Sequence, residues 1–132
     1  MRLYYKIRNA IREFKYEFRS RRQRFKRGYS DSDVWDMDYW FIRTVKPMLI
    51  QLRDNGIGVP NELYQDVDDK EREAWEAVLT EMVECLDDMD RYAVEEKYNL
   101  HGNSYQRSWD IIEKNKDRFF ELFSKHFYNL WD

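Results

Sequence analysis

One cysteine, two histidines, two prolines and four glycines in 132 residues leave this chain poor in the residues that most chemistry requires. Cys85 alone can form no intramolecular disulfide and no Cys-rich zinc site, which suits a reducing compartment. The histidines, His101 and His126, accompany no Gly-x-Ser-x-Gly elbow or other nucleophile-and-base pattern of the kind acyl transfer needs. Gly56 and Gly58 make a lone Gly-x-Gly without the third glycine or the Lys-Ser/Thr of a phosphate loop, so it reads as a turn. No apolar run approaches the ~20 residues that span a bilayer, and the N-terminal Met-Arg-Leu-Tyr-Tyr-Lys-Ile-Arg lacks the apolar stretch of a signal peptide. The expectation is a soluble, intracellular protein that is not an enzyme, holds no cofactor or metal and has no membrane partner.

Aromatic residues and charge are plentiful: five Trp, ten Tyr and eight Phe make 17% of the chain, and 37% is charged. The rings must fill a core, form a binding surface, or do both. The charge is sharply divided. Residues 1–28 carry eleven Lys or Arg against Glu13 and Glu17, which gives +9, and a whole-chain charge of −3 leaves −12 for the other 104 residues.

The length fits one domain, and the apolar periodicity divides it into four helical segments. Tyr4, Ile7, Ile11, Phe14, Phe18 and Phe25 recur at alternating steps of three and four, broken only by Arg21, so residues 1–28 read as an amphipathic helix ended by Gly28. Arg8, Arg12, Lys15, Arg19, Arg22 and Lys26 each follow a position of this seam by one, forming a basic ridge about 27 Å long at ~1.5 Å per residue. Ser30 and Asp33 stand in capping-box order, with Ser32 a competing cap, ahead of a helix over residues 30–54 that Pro47 should kink. After the breaker Asn55-Gly56-Ile57-Gly58-Val59-Pro60 comes an acidic helix over 66–98, with Trp75, Leu79, Met82 and Leu86 on its apolar face. His101 to Ser104 interrupt the pattern before an aromatic helix over 105–131. Together these spell an all-α, four-helix bundle-like single domain, residues 1–132.

Few side chains invite a chemical role. Cys85 falls between Met82 and Met89 at the edge of an apolar face, the place of a packed core thiol. The runs Asp87-Asp88-x-Asp90 and Asp31-x-Asp33 with Asp36 and Asp38 supply oxygens for a hard cation, but neither sets a glycine and closing glutamate in calcium-loop register. Asp38, three residues after Trp35 and four before Ile42, falls on the face expected to be buried. It calls either for an internal arginine partner from the basic arm or for a role in recognition. The basic ridge, interleaved with Tyr4, Tyr5 and Tyr16, has the cations and flat rings of a nucleic-acid contact. The acidic helix offers an internal or dimeric counter-surface, and an acidic protein, an anionic membrane surface or plain solvation suits the ridge as well. The seam in register with the ridge favours an arm packed on the bundle with its flank available.

The segment Arg27-Gly28-Tyr29-Ser30-Asp31-Ser32-Asp33-Val34-Trp35, continuing to Asp38 and Tyr39, resembles a segment of small, uncharacterised proteins of bacteriophages and prophages. In those proteins a proline-containing helix, a Gly-and-Pro turn and a helix opening on tryptophan follow, matched here by Val45 to Leu52, Ile57-Gly58-Val59-Pro60 and Glu73-Ala74-Trp75 to Leu79. The similarity covers about residues 25–90. Val59 stands where an aromatic is common, and the C-terminal helix has no counterpart. The resemblance implies a phage gene expressed in a host bacterial cytoplasm and carries no catalytic residues. Physically, the motif reads as a corner: Gly28 ends one helix, Ser30 and Asp33 cap the next, and Trp35 pins the corner into the core.

The leading expectation is a non-enzymatic phage binding protein that occupies a host or phage protein, such as an inhibitor of a bacterial antiviral defence system. Two alternatives stand beside it. The basic helix contacts nucleic acid or an anionic nucleotide, or the chain is a virion or assembly component that forms a homo-oligomer.

Overall fold

A computed structural model describes residues 1–60, 63, 70–100 and 105–131. Among the described residues are six α-helices and no strand: α1 Arg2–Arg27, α2 Asp31–Trp35, α3 Met37–Asn55, α4 Lys70–Asp88, α5 Arg91–Lys97 and α6 Tyr105–Lys125, with a 3-10 turn at Phe127–Asn129. The protein is all-α and bundle-like. The expected helical start at residues 66–69 and the interruption from His101 to Ser104 lie outside the described residues.

Two expected helices are each divided by a side chain that can cap. The segment read as 30–54 breaks at Asp36, whose φ of −128° and ψ of 59° are not helical, while Pro47 sits within α3 and the helix continues to Asn55. The acidic segment breaks at Asp90, whose carboxylate accepts from the amides of Tyr92 at 2.8 Å and Ala93 at 3.3 Å and so starts α5. The apolar face runs on through Met89 and Ala93, so periodicity alone does not reveal the break.

The chain divides into two compact units, Met1–Trp40 and Phe41–Asp132. In the second unit α3, α4 and α6 enclose a core in which Trp75, Leu79, Met82, Leu86 and Phe119 are buried. Phe41 meets Phe119, Phe120 and Phe123 at ring-centroid distances of 5.8–5.9 Å, and Trp75 meets His126 edge-on at 5.3 Å. These aromatic pairs add modest orientation energy to the burial itself. Arg118 of α6 forks onto Glu81 of α4 at 2.6 and 3.1 Å, which fixes the register of the two helices more than it stabilises them, since both side chains are 42% exposed.

The first unit contains α1, α2 and the opening turn of α3. Its apolar seam is not buried as expected: Tyr4, Ile7, Ile11, Phe14, Phe18 and Phe25 are all exposed, Phe25 by 92%. No described helix is long and apolar enough to cross a membrane.

Candidate functional site

The corner between α1 and α2 is built from side chains of the basic helix. Gly28 adopts φ 83°, a left-handed conformation that costs other residues roughly 1–2 kcal/mol, and its amide closes α1 on the Arg24 carbonyl at 2.8 Å. The reversal lets residues on either side of Gly28 face one another. Ser30 Oγ accepts from the Asp33 amide at 3.3 Å, and the Ser30 amide donates to Asp33 Oδ2 at 2.8 Å, so the capping box is complete. Ser32 is not the cap but lies 2.7 Å from Ser30, hydroxyl to hydroxyl.

Asp33 also receives Arg24, through Nε at 2.9 Å and a terminal nitrogen at 2.8 Å, in a bidentate pair. The Arg24 hydrogen bonds hold the Asp33 carboxyl far below the usual carboxylate range against the opposing effect of its burial. Asp31 is a second junction: Arg27 donates to it at 2.5 Å, Gln23 at 2.7 Å and Arg19 at 3.3 Å, and its own amide donates to Gln23 at 3.0 Å. Its carboxyl is held below its ordinary value first by Arg27 and then by Gln23. Arg27 covers the Tyr29 ring at 4.5 Å, a cation-π contact that orders the turn.

The motif thus forms a corner, with two corrections. Trp35 does not pin it into a core but is 88% exposed at the rim of a cleft of about 340 Å³ that Tyr16 and Ser20 also line. The buried carboxylate is Asp33, whereas Asp38 is exposed in the first turn of α3. The break at Asp36 resets the helical register, so counting from Trp35 does not carry to Asp38.

At 100° per residue, Ser20, Gln23 and Arg27 lie on the side of α1 opposite the apolar seam, with Arg19 between them and the seam on the edge of the ridge. The corner therefore occupies the back of α1 and leaves the seam open. All six members of the ridge, Arg8, Arg12, Lys15, Arg19, Arg22 and Lys26, are exposed beside it, with Arg8 over the Tyr5 ring at 5.0 Å and Arg19 turned toward Asp31. A continuous surface results, apolar along one line and cationic along the next.

The aspartates of the Asp87 to Asp90 run have structural partners. Asp87 pairs with Lys46, Asp88 takes Lys97 at 2.5 Å and Tyr98 at 2.8 Å, and Asp90 caps α5. Among the described residues no group of three or more His, Cys, Asp or Glu could hold a metal ion. A cleft of about 440 Å³ between α3 and α6 is lined by Met48, Leu52, Phe123 and Phe127, with Gln51 and Asn55 as its polar groups. Cys85 is buried, and burial pushes its thiol pKa up. Labelling by a thiol reagent is therefore expected to run on the order of 100-fold slower in the native protein than in urea, because it waits on opening. Equal rates would place the thiol at the surface.

No protein-family model, curated protein or solved structure matches the chain.

Proposed function

We propose that this chain is a non-enzymatic binding protein that engages another protein through α1. The exposed apolar seam beside the basic ridge carries this reading. Cations steer an acidic partner and set orientation, while affinity comes chiefly from apolar area removed from water. A nucleic-acid backbone satisfies the ridge and leaves Ile7, Ile11, Phe14 and Phe18 in water, which places the nucleic-acid or nucleotide reading second. The resemblance of the Arg27 to Trp35 segment to phage proteins supports a reading in which the protein acts in a host bacterial cytoplasm on a component of an antiviral defence system.

Affinity capture from infected cells, with and without nuclease, tests the reading against wild type and an Ile11→Ser, Phe14→Ser variant. The expected result is a protein partner retained after nuclease and lost on seam substitution. Loss on nuclease treatment in favour of Arg8, Arg12 and Lys15 dependence rejects it for the nucleic-acid alternative. A concentration-independent oligomer in sedimentation rejects it for the assembly alternative.

A further inference from the structure

The seam of α1 is spaced for a partner helix. Its positions, 4, 7, 11, 14, 18, 21 and 25, alternate steps of three and four without exception across three heptads. A two-in-seven stripe is the narrow seam of a coiled coil, whereas a helix lying on a globular core presents a wider face; α1 keeps the narrow stripe from Ile11 to Phe25, and Leu3 and Ala10 at g positions widen it at its start. In heptad terms Tyr4, Ile11, Phe18 and Phe25 take the a positions, and Ile7, Phe14 and Arg21 take the d positions.

The flanks determine which helix fits. Arg8, Lys15 and Arg22 occupy every e position along the seam, and all are exposed. Two copies of α1 would bring these cations together in an antiparallel pair. In a parallel pair only Glu17 among the g positions would oppose one of them. Flanking charges of this kind select the partner and reject the wrong one. Arg21, 79% exposed and only loosely paired with Glu17 at 3.8 Å, places a cation on the seam itself, where a facing acid satisfies it. The corner docks on the opposite side of α1 and keeps this line clear.

We infer that α1 is one strand of a heteromeric coiled coil whose other strand is an amphipathic helix of the partner protein, with apolar a and d residues and acidic flanks. This deepens the reading of α1 as a protein-binding surface and rests on it.

The test uses the full chain and a synthetic 28-residue peptide with Ile at a, Leu at d, Glu at e and g, and one Glu in the seam facing Arg21. A matched peptide carries Lys at e and g. Calorimetry and circular dichroism should show the Glu peptide binding with a gain of helicity, at least about tenfold tighter than the Lys peptide. Ile11→Ser and Phe14→Ser should each weaken it by about tenfold or more. Reversal of Arg8, Lys15 and Arg22 to Glu should transfer preference to the Lys peptide, a gain that misfolding cannot produce.

Equal affinity for the two peptides, or no binding of the Glu peptide, overturns the inference. So does seam-dependent self-association of the wild-type chain. Tighter seam-dependent binding to phosphatidylglycerol vesicles or to a single-stranded 20-mer overturns it too, assigning the seam to those occupants. If seam-dependent capture of a protein from infected cells persists while the Glu peptide fails, the coiled-coil geometry falls and the protein-binding reading stands.

Discussion

Trp75→Ala is expected to lower the stability of the second unit by about 3–5 kcal/mol, a large share of the roughly 5–15 kcal/mol available to a domain. The side chain is 1% exposed on α4, lies among Leu79, Phe119 and their neighbours, and meets His126 edge-on at 5.3 Å. Truncation removes the largest fully buried side chain and leaves a cavity that α3 and α6 cannot fill without shifting. Urea unfolding followed by far-UV circular dichroism measures it, with Trp35→Ala as the internal comparison. At 88% exposure Trp35 should cost within about 0.5 kcal/mol. Equal losses for the two tryptophans would contradict the burial assigned here.

Asp33→Ala is expected to cost the corner about 2 kcal/mol or more, because one substitution removes the capping box and leaves Arg24 without its bidentate acceptor. The loss should be local: amide exchange quickens from Ser30 to Trp35 and in the last turns of α1, while the denaturant midpoint of the second unit stays put. Global unfolding at unchanged exchange of α2 would refute it. The pH dependence follows from the sign of the shift. Because the folded carboxyl titrates below its unfolded value, its contribution is fully present above the ordinary aspartate range, near 3.9, and is lost only as pH falls through the lowered folded value. The Ser30 amide signal should therefore hold steady from pH 7 to 4 and move only in stronger acid. Asp33→Asn abolishes that acid limb.

The corner was legible because its chemistry is local. Gly28, Ser30 and Asp33 are placed by steps of two and three residues, and a left-handed glycine and a capping box need nothing beyond the neighbouring backbone. The expectation of a buried carboxylate falls on Asp38 instead of Asp33 because the count runs one continuous helix through Asp36, where the structure breaks it. The usable signal was the capping acid itself, which the Gly28 reversal turns back onto the last turns of α1. The break at Asp90 was hidden in the same way, since an aspartate inside an acidic apolar-periodic run looks the same whether it caps or continues.

By itself the sequence determined the all-α class, the burial of Trp75, Leu79, Met82 and Leu86, the packed place of Cys85 and the ridge in register with the seam. Those follow from 3.6-residue periodicity and from turn chemistry, which act within a few residues. Only the tertiary structure decided that the seam of Ile7, Ile11, Phe14 and Phe18 is exposed while an equally apolar face on α4 is buried, and that Trp35 faces water while Trp75 does not. Periodicity records that a helix has an apolar side. What covers that side depends on contacts between distant parts of the chain or with another molecule, and these leave no mark on the local pattern.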